Sequence, residues 1–394
     1  MGTPSQGLRP HQIFDFLAAR VLGQDEALRG VAVSIYKHLY GIRGGRIFLI
    51  GGSGTGKTTL MRAIQHFFMA HPALKPFAAM CIVNARTLVD ENGDVDVLRI
   101  FQHLEADARR LLGPDAEARE VAAQMERGTI CLDEVDKISG KLAGKPDVVG
   151  LSLQQALLTF IEGEQVQHAV RERHGEGRHD FSLNTGRMLF VCGGAFEELY
   201  DQVYRRVENK EDERRLREVR TYDSRLGMRT DILFSLKEYM KLADLYAYGM
   251  APQFISRFSG VTLLEDLHRG ALREILLKSE ESPYRISRQY FATMDIELVL
   301  TAEAVDIVVD KAYENARIGA RALREVFAKV ITALEFDPFG SGLLQQKGEG
   351  WRLVVKRELA QERLHSQDAD PADAMAGASK DAAEALAEQV GELS

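Results

Sequence analysis

Apolar residues along this chain fall into short blocks, and the blocks alternate with stretches of helical periodicity. Residues 46–50 (RIFLI) form a short apolar run that ends in glycines, the pattern of a buried parallel strand entering a turn. Similar runs recur at residues 81–83, 129–132, 188–192 and 261–264. Helical patterns lie between them; Leu151, Leu153, Leu157, Leu158 and Ile161 make one amphipathic face. Upstream, residues 12–40 read as helical with an interruption at Val21-Leu22-Gly23-Gln24. Strands alternating with helices predict an α/β fold in which a parallel sheet is flanked by helices.

The pattern changes near Leu267. Residues 268–292 read as helical, residues 295–300 (DIELVL) alternate as a strand, and Thr301 is placed to cap a helix through Tyr313. Another helix is expected from Gly319 to about Glu335, and residues 351–355 read as a final strand. This is a second, smaller, mostly helical domain. From about Glu358 the chain is rich in Ala, Asp and Glu, which predicts a flexible acidic tail.

A chain of 394 residues with 45% hydrophobic content fits two domains plus tails. The net charge of −8 argues against non-specific nucleic-acid binding, which needs a basic face. Cys81, Cys131 and Cys192 stand alone in apolar runs and form no CxxC pair, so they read as buried thiols of a reducing compartment. Residues 1–10 lack an apolar signal core, and no run approaches the roughly 18 apolar residues of a membrane span. A cytoplasmic protein is expected.

Two segments carry chemistry. Gly51-Gly52-Ser53-Gly54-Thr55-Gly56-Lys57-Thr58 matches GxxxxGK followed by Thr or Ser, after a strand and before a helix. Its glycines let successive N–H groups turn toward an oxyanion, and the helix N-terminus adds positive potential. Lys57 is expected to bridge the β- and γ-phosphates of a nucleoside triphosphate, and Thr58 to place its hydroxyl on Mg²⁺. Residues 52–59 (Gly52, Ser53, Gly54, Thr55, Gly56, Lys57, Thr58 and Thr59) are the candidate nucleotide contacts. The second segment, Thr129-Ile130-Cys131-Leu132-Asp133-Glu134, is an apolar strand ending in two carboxylates. Asp133 is expected to hold a water of the Mg²⁺ shell and Glu134 to act as general base on the attacking water.

These residues carry a resemblance. Asp133-Glu134-Val135-Asp136-Lys137-Ile138, Leu153-Gln154-Gln155-Ala156-Leu157-Leu158, Ile161-Glu162-Gly163, Gly23-Gln24 and residues 189–196 (LFVCGGAF) look like the ClpX branch of AAA+ unfoldases. The resemblance covers roughly residues 15–340. It implies an AAA+ P-loop large domain over residues 15–266, a small domain over 267–357, and tails at 1–14 and 358–394. It implies that Val21 and Leu22 line an adenine pocket. It implies that Arg257, in Pro252-Gln253-Phe254-Ile255-Ser256-Arg257, reaches the γ-phosphate held by a neighbouring subunit. Arg321, in Gly319-Ala320-Arg321, would reach nucleotide from the small domain. No catalytic role attaches to Cys192.

Four features depart from that family. The family's N-terminal zinc-binding domain is not seen in this sequence, so metal-dependent adaptor docking is not expected. Where the family's pore loop carries an aromatic residue, this chain reads Leu88-Val89-Asp90-Glu91-Asn92-Gly93-Asp94-Val95-Asp96. Acidic side chains grip apolar segments poorly, which suggests either a basic or narrow substrate class or a lost grip. Leu226-Gly227-Met228 lies where the family docks its peptidase, and reads either as that dock or as a plain turn. Arg171-Glu172-Arg173-His174 and Arg178-His179 sit in what reads as a polar loop, where the family has a basic pore-entrance loop.

The resulting expectation is a homohexameric, Mg²⁺- and ATP-dependent protein remodeller, with a Clp-type peptidase as a candidate partner. The alternative is an ATP-switched assembly or partner-binding protein that does not thread. Membrane association is not expected.

Overall fold

A computed structural model describes residues 7–42, 45–142, 144–172, 177–209, 217–223, 227–314, 319–348 and 350–368. The chain forms two compact units, residues 1–266 and 267–394.

In the first unit the apolar blocks become five strands: β1 (Ile47–Ile50), β2 (Met80–Asn84), β3 (Thr129–Asp133), β4 (Leu189–Gly194) and β5 (Val261–Leu263). They run parallel in the order β5-β1-β4-β3-β2. Period-two alternation divides their side chains between two cores. Ile47, Leu49, Cys131, Leu189 and Val191 face helices α1 (Pro10–Ala18), α2 (Asp25–Leu39) and α3 (Lys57–Ala70). Phe48, Ile50, Cys81, Ile130, Leu132, Phe190 and Cys192 face α4 (Arg99–Leu112), α5 (Ala118–Met125), α6 (Val148–Glu162) and α7 (Glu197–Glu208). Both faces are dry, as a parallel sheet requires.

Burial keeps the three cysteine thiols in the neutral form. It pushes Cys81 up to about 12, with a further push from Asp107, and it likewise raises Cys131 and Cys192.

The first unit begins earlier than the residue-15 boundary expected from the sequence. Pro10 opens α1 at its first turn, and Ile13 is fully buried beside Leu17. A second correction concerns residues 171–179, expected as a loop. Gln165–Arg171 and Arg178–Asn184 pair antiparallel, so Arg171, Arg178 and His179 stand on a hairpin; Arg173 and His174 lie outside the described residues. Alternate residues Val166, Val170 and Leu183 anchor it in the core, a short pattern easily read as loop. A second hairpin, Arg217–Asp223 with Gly227–Leu233, was not anticipated; Leu226 lies outside the described residues.

In the second unit, α8 (Arg269–Lys278) and α9 (Pro283–Ala292) precede β6 (Ile296–Leu300) and α10 (Ala302–Glu314). Then come α11 (Ala320–Phe336), β7 (Leu344–Lys347), β8 (Gly350–Val355) and α12 (Arg357–Asp368). The strands order β6-β8-β7, with β6 and β8 parallel. The Thr301 hydroxyl accepts from the Ala304 N–H at 3.3 Å and caps α10. Residues 357–368 correct the expected tail: they are helical, and Ala360 and Leu364 are buried in this unit's core. Among the described residues no helix is long and apolar enough to cross a membrane.

Candidate nucleotide site

The site is built where β1 and β3 end. Gly51 leaves β1 in close quarters: a Cβ there would lie 2.7 Å from Leu264 Cβ. Gly54 (φ 75°) and Gly56 (φ 103°) adopt left-handed conformations that wrap the loop, and Gly56 caps α3. Thr55 is buried, its hydroxyl donating to the Gly52 carbonyl at 2.9 Å. Lys57 Nζ points back along the loop and donates to the carbonyls of Gly51 (2.5 Å) and Gly52 (2.9 Å). Main-chain N–H groups at a helix N-terminus beside an ammonium group make an anion cradle.

The acidic pair closes the other side. Thr58 Oγ1 donates to Asp133 Oδ2 at 3.0 Å, so a hydroxyl and a carboxylate from distant segments meet as two hard oxygen donors. Asp133 Oδ1 accepts from the Glu134 N–H at 2.9 Å. Glu134 is exposed and left-handed (φ 55°, ψ 38°), a costly conformation for a residue with a Cβ. That turn swings its carboxylate to Asn84, whose amide donates to Glu134 Oε2 at 2.6 Å. Asn84 pairs with Asp133 in the sheet register, and its side-chain Oδ1 accepts from the Arg86 N–H at 2.9 Å. β4 passes through the same place: a Cβ on Gly193 would sit 3.0 Å from Met61 and 3.9 Å from Asp133 Oδ1. Asp136, 3% exposed, accepts from the Ala195 N–H at 3.0 Å and ties the acidic turn to the end of β4.

Of the sequence candidates, Lys57, Thr58, Asp133 and the loop glycines are thus drawn together. Ser53 is half-buried in the loop, and Thr59 is exposed on the first turn of α3. Val21 is buried, with its Cγ1 3.4 Å from where a Gly56 Cβ would stand; Leu22 beside it is half-buried. Arg257 precedes β5, which two strands separate from β3, and its guanidinium pairs with Glu162 at the end of α6. Arg321 belongs to the second unit, exposed on the first turn of α11. Cys192 is buried in the sheet.

Sequence reasoning assigned no role to Asn84, Asp136 or Gln24. Gln24, 3% exposed, donates to the carbonyls of Thr55 (3.1 Å) and Glu265 (2.8 Å) and accepts from the Glu265 N–H (2.9 Å). It is pinned between the phosphate loop and the segment after β5. The only signal was its place in the Gly23-Gln24 pair.

Two outlying segments are also ordered by polar contacts. In the acidic segment Asp90 Oδ1 accepts from the N–H groups of Asn92 (2.9 Å) and Asp94 (2.8 Å), and Val89 bridges Val95. The hairpin 165–184 is clamped to α4 by Glu105, which accepts from His168 Nε2 and Arg109 Nε at 2.9 Å each. Burial alone would raise Glu105, yet His168, Arg109 and the Arg171 N–H hold it at about 2.

A five-stranded parallel sheet with this loop after β1 and this acidic pair after β3 defines an ATPase of the AAA class. A model of the ATPase family associated with various cellular activities (AAA) matches residues 47–212. The chain is 31% identical over 377 residues, 91% of its length and 83% of the relative's, to the Porphyromonas gingivalis protein named ATP-dependent Clp protease ATP-binding subunit ClpX. Proteins of the same name from Bacteroides fragilis (31% over 347 residues; 84% and 77%) and Azotobacter vinelandii (27% over 379 residues; 89% and 81%) are also similar. The chain belongs to the ClpX family.

Proposed function

We propose that this chain is a cytoplasmic, homohexameric remodeller that spends ATP to pull on protein substrates, with residues up to Asp266 as its large domain and a small domain from Leu267. The observation that carries the reading is the meeting of Thr58 with Asp133 at 3.0 Å beneath a glycine-rich loop, in a chain of this family. ATP would lie over residues 52–59, its adenine against Val21 and Leu22. Lys57 would exchange its two carbonyl partners for the β- and γ-phosphates. Thr58 and, through water, Asp133 would hold Mg²⁺, which when bound neutralises charge on the phosphate oxygens.

Glu134 takes a proton from water as the water oxygen bonds to the γ-phosphorus; the bond to the bridging oxygen breaks, releasing ADP and phosphate. Arg257 from a neighbouring subunit and Arg321 from the small domain stabilise the charge gathered on the transferring group. The acidic, self-bonded segment around Asp90 favours substrates with basic segments over apolar ones. The named relatives are subunits of Clp protease; Leu226-Gly227-Met228 is the candidate dock for such a peptidase.

Substrate trapping with Glu134→Gln tests this reading. ATP-dependent capture of protein that wild type releases, with substrate-stimulated ATP turnover, supports it. ATP turnover that no unfolded or tagged protein stimulates, with capture of one folded partner only, replaces it with a nucleotide-switched binding role.

A further inference from the structure

Gln154 on α6 is 1% exposed, and all of its described bonds go to main chain. Its amide nitrogen donates to the carbonyls of Ile138 (2.8 Å) and Gly249 (3.2 Å), and its oxygen accepts from the Ala251 N–H (2.8 Å). One side chain thereby bridges two segments far apart in sequence. Ile138 closes the single helical turn that Glu134 opens. Ala251 caps the turn Pro252–Ile255, which leads directly to Arg257.

The seam between the segments is close-fitting. Ser139 Oγ donates to the Tyr248 carbonyl and the Gly140 N–H to the Gly249 carbonyl, each at 2.8 Å. A Cβ on Gly150 of α6 would lie 2.3 Å from the Ser139 carbonyl oxygen. The same helix takes a second hold: Glu162, at its C-terminus, pairs with the Arg257 guanidinium. Glu162 lies eight positions after Gln154 on the same helix, a rigid span of roughly 12 Å.

We propose that Gln154 is a positioning residue for ATP hydrolysis, fixing the segment that carries Arg257 to the turn that carries Glu134 through α6. The proposal rests on the roles given to those two residues above. Without the amide, the Ile138 carbonyl and the Ala251 N–H lose their Gln154 bonds and the Gly249 carbonyl keeps only the Gly140 N–H, and the segments part to regain hydrogen bonds elsewhere. A misplacement of about 1 Å in a charge-stabilising group can lower turnover by as much as ~100-fold while leaving ground-state binding largely intact.

The test is a double-mutant cycle in the full-length protein with Gln154→Met, which keeps the chain length and removes the hydrogen bonds, and Arg257→Ala. Steady-state kcat and KM are measured for each, with calorimetric affinity for a non-hydrolysable ATP analogue. Gln154→Met alone is expected to lower kcat about tenfold or more with affinity within about twofold, and to add less than about twofold on top of Arg257→Ala. Unchanged kcat, or a loss that multiplies in full on Arg257→Ala, overturns the proposal.

Wild-type turnover in Arg257→Ala removes the finger role itself, and the link with it, which is a different failure from full multiplication. Ser139→Ala, cutting one bond of the same seam, is run alongside. If Gln154→Met does not fold, a kcat loss of about two- to threefold in Ser139→Ala with affinity kept supports the link, and wild-type kcat there overturns it.

Discussion

The Asn84 amide donates to Glu134 Oε2 at 2.6 Å, from the strand position that pairs with Asp133. Glu134 is exposed on a left-handed turn, and this bond fixes where its carboxylate points. Asn84→Ala should free the carboxylate and lower kcat about tenfold, with KM for ATP changed less than about twofold. Steady-state ATPase kinetics check this. Unchanged kcat would leave the contact without a part in hydrolysis.

Lys57 and Glu134 should fail in different ways. Lys57→Ala removes a charged donor from the phosphate loop and should weaken ATP binding by about 100-fold or more. Glu134→Gln keeps the shape and the cradle, so binding should persist while turnover falls by roughly 10²–10⁴. Calorimetry with ATP and Mg²⁺, set beside phosphate release, separates the two. Near-normal hydrolysis in Glu134→Gln would dismiss it as the base.

His38 predicts a pH response. Burial lowers its imidazole from 6.5 to about 4, partly offset by its bond to the Arg127 carbonyl at 3.1 Å. Below pH 6.5 the unfolded chain takes up a proton that the folded chain refuses until about pH 4. Stability therefore falls as pH drops through that window, by up to about 3 kcal/mol, and the histidine adds no slope above it. His38→Gln should flatten the decline in melting temperature between pH 7.5 and 5. Equal slopes in the two proteins would clear His38. Loss of the Glu105 clamp comes lower, as pH falls from 4.5 toward 2.

α12 predicts a stability effect where the sequence suggests a tail. Leu364, 4% exposed, packs in the second unit's core. Leu364→Ala should cost about 2–5 kcal/mol in that unit, read by denaturant titration. A neutral substitution would mean that the helix contributes nothing to the fold.

The legible parts of the chain were those whose chemistry is local. The phosphate loop needs glycines, a lysine and a threonine in one short stretch, so spacing alone exposes it. The five sheet strands are dry on both faces and read as apolar runs. What stayed hidden depends on distant backbone. Nothing around Gln154 or Gln24 says that their amides reach carbonyls many residues away. Asn84 is an ordinary strand-end residue until the sheet register sets it beside Asp133. Among its described side chains α12 buries only Ala360 and Leu364 between charged neighbours, too little periodicity to outweigh an acidic composition. The hairpin 165–184 alternates too briefly between polar positions for a strand reading to prevail.

The three cysteines sit in the sealed interior of β2, β3 and β4. A thiol reagent therefore finds no handle on the native surface. A single cysteine introduced at Glu91 or Arg178 would take a dye selectively without stripping the natural thiols. Left unlabelled, those thiols act as a stopwatch: the pace at which they react reports how often the middle of the sheet comes apart.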